Sequence, residues 1–292
     1  MTRQQVPNAE LGTDTARLNL LTNGGFEIWQ RGVGPSTGNG TFLADRWINN
    51  LGGPTSHSVS RIASTIGSTG YSQQVVYTHG SGGYGQYLQS LAEQIPNLQG
   101  KTVTFSIHVK SPVVGGANVV LLVSGANAAT KFNQLTNVDE TISVTTTLPA
   151  AITGSSLAVE VVLTTSGTYE FNDAMLVVGS VAADYAPLHP ADDLARCLRY
   201  YEVINPSGGT AFQRSFWAGL AGGNYIEPLR YQRKAVVPTL TKVGTWTVVN
   251  CSQPTFSVPD VDICAMLTNA PAVGQANFYA SAGGSLLVEA NP

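Results

Sequence analysis

Apolar and polar residues alternate most clearly over 101–110, where Val103, Phe105, Ile107 and Val109 fall on one face and Thr102, Thr104, Ser106 and His108 on the other. A period of two predicts a strand with one buried and one wetter face. The runs 118–123 and 157–164 are nearly continuous in apolar residues, the pattern of strands covered on both sides. Further strands are predicted at 57–62 and 73–78. The first β pattern runs through Leu18, Leu20 and Leu21 to a turn at Asn23-Gly24-Gly25, then to a second short strand with Phe26, Ile28 and Trp29, and on to a strand over 42–49. Turn-rich spacers such as 124–129 lie between strands, and short strands at this spacing predict a jelly-roll β-sandwich over about 18–186.

The pattern changes after the strand that begins near Thr168. Pro190 suits the first position of a helix, where its missing N–H costs nothing. Asp192 and Asp193 follow at the positive end of the helix dipole, and Arg196 and Arg199 stand towards the negative end. Leu194, Cys197, Leu198 and Tyr201 recur at i, i+3, i+4 and i+7, one apolar stripe. A helix this short is not stable alone in water, so the stripe is expected to pack on a domain or on a neighbouring copy of the chain. Pro206, Ser207, Gly208 and Gly209 mark a turn or hinge.

Beyond the hinge the β pattern returns at 214–220, 243–249, 261–267, 276–281 and 286–289, with Gly283-Gly284 as a hairpin turn before the last strand. The expected organisation is an arm at 1–17, a jelly roll at 18–188, a linking helix and hinge at 189–209 and a smaller β-rich tip at 210–292. The fold class is all-β with one short helix.

Composition narrows the function classes. Charged residues are 11% of the 292, far below the roughly 25% of an average soluble protein. Gly, Ser, Thr, Asn and Gln replace them, which suits β-structure with a polar, weakly charged surface. A net charge of −3 without a basic cluster argues against a nucleic-acid partner. Cys197, Cys251 and Cys264 show no metal-ligand spacing and read as buried free thiols. No run approaches the length of a membrane span, and the first residues lack the apolar core of a signal peptide, so neither membrane insertion nor ordinary secretion is expected.

Residues 80–85 match G-x-G-x-x-G, but strand-like residues follow and Phe105 stands where the ribose-binding acid belongs, so a glycine-rich turn between strands is expected. Residues 34–38 match G-x-S-x-G, but in a loop rather than a strand-to-helix turn. His57, His79, His108 and His189 are scattered, with no ligand spacing. Glu27, Asp45, Glu93, Glu160, Glu170 and Asp173 are the carboxylates from which a glycosidase pair would come, but the sequence fixes no separation for them. No catalytic residue is assigned and no enzyme is expected. Trp47, Tyr71, Tyr84 and Tyr87 are the candidates for an aromatic platform under sugar rings; as ordinary sandwich residues they would fill the core instead.

The segment NLLTNGGFEIWQRG from Asn19 to Gly32, followed by Ala44-Asp45-Arg46-Trp47, resembles the opening of a domain found in bacteriophage virion and tail-fibre proteins. Residues 88–111 are similar to the central strands of jelly-roll carbohydrate-binding modules. Residues 184–201, with Ala195-Arg196-Cys197-Leu198-Arg199-Tyr200-Tyr201, resemble the "CQRYY" helix that closes those phage domains, with Leu198 in place of the usual Gln. The resemblance implies a structural calcium joining the first and last strands, held by Glu27 and Asp173; Asn172 stands where the family has a second Asp. It implies a virion protein made in the host bacterial cytoplasm. The expected role is that of a homotrimeric fibre or spike subunit, with its arm docked on other virion proteins and host surface polysaccharide as its ligand. The alternatives are a head fibre or capsid decoration with a purely architectural role, and a capsule depolymerase.

Overall fold

The computed structural model describes residues 18–154, 156–205, 212–281 and 283–291. The expected arm at 1–17 and the hinge at 206–209 lie outside them. The chain divides into two compact units between Pro190 and Ala191.

The first unit is a sandwich of two antiparallel sheets. One has six strands in the order β1 (Thr41–Phe42), β2 (Ile48–Gly52), β5 (Tyr84–Ser90), β10 (Leu157–Leu163), β7 (Ala117–Val123) and β8 (Ala126–Phe132). The other has five, in the order β3 (Ser56–Ala63), β4 (Tyr71–Thr78), β11 (Gly167–Val178), β6 (Thr102–Lys110) and β9 (Glu140–Thr147). A helical turn, α1 (Ile95–Leu98), closes one end. The alternation over β6 does what a period of two requires: Val103, Phe105, Ile107 and Val109 are buried between the sheets. They meet Val119, Leu121, Val159, Val161 and Tyr87 from the six-stranded sheet in one continuous core. Burying a side chain such as Phe105 contributes roughly 1.5–3 kcal/mol, and the sandwich repeats this along each strand.

Two expectations for this unit need correction. Neither short strand expected at 18–21 and 26–29 forms: Asn23 and Phe26 both take left-handed backbone angles, and the segment folds on itself. The strand expected over 42–49 is split into β1 and β2 by a turn in which Arg46 also has a positive φ. Apolar content there serves a packed loop, which composition alone does not separate from a strand.

The second unit takes in α2 (Pro190–Leu198) from Ala191 on and, among the described residues, holds three three-stranded sheets. In these, β12 (Tyr201–Ile204), β20 (Ser285–Glu289) and β15 (Thr239–Val243) pair, as do β13 (Gln213–Ala218), β19 (Gly274–Ala280) and β16 (Trp246–Val249), and β14 (Gly223–Arg230), β18 (Ile263–Ala270) and β17 (Thr255–Ser257). The chain visits the sheets in one order through β12–β14 and again through β15–β17, and returns in reverse through β18–β20 as the middle strand of each. This is one three-stranded ribbon, interrupted twice. Its core contains Phe212, Trp246, Cys264, Met266, Phe278, Leu286 and Val288.

The strand expected over 243–249 is broken at Gly244, and Gly283-Gly284 is a corner between sheets rather than a hairpin turn. The reason is local. Gly244 and Gly283 both have φ of 68°, and a Cβ on Gly244 would stand 2.2 Å from the Gly283 carbonyl oxygen. Both lines of the ribbon bend together there, and only glycine fits.

Candidate functional site

The residues of the opening segment, 19–47, are brought together, and they hold each other. Asn23 is fully buried; its side-chain amide donates to the carbonyls of Ile28 and Asp45 at 2.9 and 3.1 Å, and its Oδ1 accepts the Ile28 N–H at 2.9 Å. Trp47 Nε1 donates to the Asn23 carbonyl at 3.0 Å, and its ring stacks on Phe26 at 4.8 Å. Asp45 accepts the Gln30 N–H at 3.0 Å, and Arg46 Nη2 donates to the Ser90 carbonyl at 2.8 Å. Gly24 lies against the last strand: the Ala174 N–H donates to its carbonyl at 2.8 Å, and a Cβ on Gly24 would be 2.2 Å from the Ala174 oxygen. The pattern is a fold signature. Each of its distinctive residues closes the end of the sandwich.

Next to this knot, the loop 64–70 between β3 and β4 is tied down by four carboxylates. Glu170 Oε1 accepts the Thr65 N–H at 2.7 Å, Asp139 Oδ2 accepts that of Gly67 at 2.9 Å, and Asp173 Oδ2 accepts that of Ser68 at 2.6 Å. Glu27 Oε1 accepts the N–H groups of Gly70 and Tyr71 at 2.7 and 3.2 Å. Asp173 reaches the loop because β11 carries a bulge between Asn172 and Met175 and Asp173 itself has φ of 49°.

The calcium that the resemblance implies finds no preformed set of acidic ligands among the described residues. Glu27 and Asp173 do meet one loop, but they present their oxygens to N–H and O–H donors rather than to an ion. Calcium needs six to eight oxygens. Among the described residues no three of His, Cys, Asp or Glu form a metal-holding group. Peptide N–H groups play the part assigned to the cation.

The far side of the same loop walls a solvent-open cleft of about 380 Å³ on the outer face of the five-stranded sheet. Its floor is Ser106 and His108 of β6 and Thr141 of β9; its walls are Ser68, Asp139 and Asp173, and the segment following β11 with Asp184 and Tyr185. His108 Nδ1 is 2.8 Å from Asp139 Oδ1, and the Thr141 hydroxyl is 3.1 Å from His108 Nε2. The register His108↔Thr141 in the β6–β9 ladder puts that hydroxyl opposite the imidazole. Three carboxylates, one imidazole, three hydroxyl side chains and one phenol line the cleft, and among the described residues no Lys or Arg does. Sequence reasoning placed His108 on the polar face but missed Asp139, Thr141, Asp184 and Tyr185. The only signal available was the alternation that aims β6 and β9 outward.

The four candidate platform aromatics are not brought together. Trp47 and Tyr87 are each 1% exposed and belong to the core. The Tyr87 hydroxyl bonds His57 Nδ1 at 3.0 Å, and burial pushes its pKa far up and that of His57 down. Tyr71 and Tyr84 are exposed, but Tyr71 opens β4 and Tyr84 follows the turn at its other end, so roughly a strand length of 23 Å separates them. The Arg61 guanidinium covers the Tyr71 ring at 4.2 Å.

The candidate glycosidase carboxylates are dispersed. Glu27, Glu170 and Asp173 pin the loop, Asp45 is buried in the knot, and Glu160 is buried on the outer side of the six-stranded sheet. Glu93 lies in a 3₁₀ turn before α1. Residues 80–85 form a turn and strand start, as expected, and Ser36 bridges Val59 as added sheet edge. All three cysteines are buried and free.

In the second unit the stripe of α2 is rotated from its expected position. Cys197 and Tyr201 are buried and Leu198 is half-buried, but Leu194 is exposed, and Asp193 and Tyr200 are buried instead. The Leu198 carbonyl accepts from Lys234 Nζ at 2.6 Å. Among the described residues no helix is long and apolar enough to cross a membrane.

No family model matches the chain, and no curated protein matches it. Solved structures do. The family 11 carbohydrate-binding module of the cellulosomal cellulase Lic26A-Cel5E of Clostridium thermocellum is 15% identical, covering 52% of this chain and 98% of its own, with a TM-score of 0.34. The CBM22-1 xylan-binding domain of Paenibacillus barcinonensis Xyn10C is 17% identical, covering 57% and 98%, with a TM-score of 0.38. The enzymatically active domain of bacteriophage CBA120 tailspike protein 4 is 11% identical, covering 55% of this chain and 21% of that one, with a TM-score of 0.37. These are likenesses of strand arrangement, and no ligand or activity passes from them to this chain.

Proposed function

We propose that this chain is a bacteriophage virion protein, a fibre or spike subunit whose jelly-roll unit adheres to host surface glycan through the cleft at His108, Asp139 and Tyr185. The observation that carries the reading is the cleft itself. It is open to solvent, about 380 Å³ in volume, and dense in hydroxyl, carboxylate and imidazole groups beside one aromatic ring. Sugar hydroxyls need such convergent donors and acceptors, and a ring face gives their C–H groups a surface. Asp139, Asp173 and Asp184 make the walls acidic, which selects neutral or amino sugars over acidic ones.

The phage setting rests on the interlocked NGGFEIWQRG and ADRW segments, which resemble those of virion proteins. Three copies around one axis would present three clefts in parallel, and avidity would then compensate for weak single sites. The residues at 1–17 would dock the trimer on other virion proteins. Binding rather than turnover is the reading of the cleft. The order Asp139–His108–Thr141 is also that of a nucleophile relay, so release of reducing ends from a bound polysaccharide would replace binding with turnover.

The test has two arms. Gold-labelled antibody to this chain should decorate fibres or spikes on intact particles. The whole chain should bind neutral polysaccharides on a printed array, and His108→Ala and Asp184→Ala should each abolish that signal while leaving the protein folded. Label on the capsid surface without any glycan binding would replace the adhesion reading with an architectural one.

A further inference from the structure

We infer that the second unit carries its own sugar-binding platform, centred on Trp217. The chain has four tryptophans. Trp29, Trp47 and Trp246 are buried, whereas Trp217 is 70% exposed. An exposed indole leaves a broad, flat aromatic face open to a ligand.

Position on the strand explains its exposure. β13 alternates, with Phe216 turned inward to stack on Tyr225 at a ring distance of 4.5 Å, and Trp217 therefore faces out. Cross-strand register sets its surroundings. Trp217 lies opposite Gln275, Ser215 opposite Asn277 and Gln213 opposite Tyr279. These six residues share one face of the sheet, and none carries a charge at neutral pH. Ser215, Trp217 and Gln275 line a single open groove of about 320 Å³.

An indole face beside amides and hydroxyls is complementary to a neutral pyranose. The sugar's C–H face lies on the ring, and its equatorial hydroxyls meet the Gln275 amide and the Ser215 hydroxyl. β13 is the edge strand of its sheet, so alternate main-chain N–H and C=O groups add further partners. Phe216 also lines the groove, and Tyr279 and the half-exposed Val249 share the face, so a protein surface is the competing occupant that the sedimentation measurement tests. The inference does not rest on the cleft of the first unit: it concerns a different unit, with an aromatic centre and no carboxylate.

The test uses the full chain on a printed array of neutral hexose and N-acetylhexosamine oligosaccharides, with Trp217→Ala, Gln275→Ala and the first-unit variant Asp184→Ala measured beside the unaltered protein. Circular dichroism controls for folding, which the exposed position of Trp217 favours. At least one oligosaccharide should lose about tenfold or more in affinity in Trp217→Ala, as for a hot-spot aromatic, and less in Gln275→Ala. The same sugar should bind Asp184→Ala normally and shift the emission of the unaltered protein to the blue. If no array sugar loses affinity on Trp217→Ala, the platform does not exist. If that substitution instead changes the sedimentation of the protein from oligomer to monomer, the surface is a subunit contact and the sugar assignment is wrong. Loss of binding in Asp184→Ala alone bears on the cleft and leaves the platform disproved in the same experiment.

Discussion

Lys234 donates to Glu202 Oε2 at 2.6 Å, and its side chain is completely buried. The same ammonium donates to the Leu198 carbonyl at 2.6 Å, so one charge joins the last turn of α2 to β12. The Ala235 N–H adds a bond to the Arg199 carbonyl at 2.8 Å. Burial pushes the Lys234 pKa down, and the Glu202 carboxylate opposes that shift. A helix too short to persist alone is thus fastened at its C-terminus by a cation, where the helix dipole also favours one. Lys234→Ala leaves the Leu198 carbonyl without this donor and the part-buried Glu202 carboxylate with the Gln232 N–H but no cation. It should cost about 3 kcal/mol, the lower end for breaking a buried pair because Glu202 keeps some water. Chemical denaturation followed by tryptophan emission would measure this, and a change within 0.5 kcal/mol, roughly the scale of ordinary surface substitutions, would mean the lysine does not fasten the helix.

Chelation separates an ion from a peptide at Glu27 and Asp173. Because backbone N–H groups occupy these carboxylates, a strong chelator should leave the melting temperature of the protein unchanged. Asp173→Ala should lower stability by about 1 kcal/mol, since the Ser68 N–H and hydroxyl lose a charged acceptor that water replaces in part. A melting temperature that falls with chelator and recovers with added calcium would restore the ion.

The legible part of this fold is the part governed by local alternation. β3, β4 and β6 could be read because their inward residues repeat every second position, and β7 and β10 because their apolar runs are nearly continuous. β8 could not: its residues are nearly all exposed, and it exists because it completes the ladder beside β7. β14 was hidden by Pro228, which is tolerated there because β14 is an edge strand. The conspicuous motif residues could be singled out, but not their task, since Asn23, Asp45 and Trp47 look alike as sequence whether they bind a ligand or each other. The cleft was illegible because it joins Ser68, His108, Asp139 and Asp184, four places in the chain that only the strand order brings together.

Glu160 gives the protein a pH dependence of known sign. Burial on the outer side of the six-stranded sheet pushes its pKa up, and the 3.3 Å bond from Gln86 only partly opposes this. The folded carboxyl therefore holds its proton more tightly than the unfolded one. The stability gained from that proton is full below the ordinary carboxylate pKa and is lost as pH rises through the folded value. Glu160→Gln stays neutral at every pH. It should melt higher than the unaltered protein at pH 7 and at the same temperature near pH 4. A variant that melts lower at pH 7 would mean the ionised carboxylate has a partner that holds it.

Gln73 and Asn49 offer the clearest route to a more stable protein. Both are fully buried, and neither amide oxygen nor nitrogen of either residue has a hydrogen-bond partner. They stand on facing sheets: Gln73 pairs with Phe171 in the β4–β11 ladder, Asn49 pairs with Tyr87 in the β2–β5 ladder, and the Tyr87 and Phe171 rings meet at 5.7 Å. The apolar core of the sandwich thus encloses four amide atoms without a protein partner among the described residues. Each buried polar group left so costs about 1–3 kcal/mol, and removing the polar group while keeping its shape recovers part of it. Met has nearly the length of Gln, adapts its rotamers to the space and brings no polar hydrogen. Gln73→Met should therefore raise stability by about 1–2 kcal/mol, read as a higher denaturant midpoint with an unchanged slope. Gln73→Ala, which also leaves a cavity, should lower it. If Gln73→Met unfolds at a lower midpoint than the unaltered protein, the amide makes bonds in solution that outweigh its burial, and the polar pair stabilises the sandwich rather than weakening it.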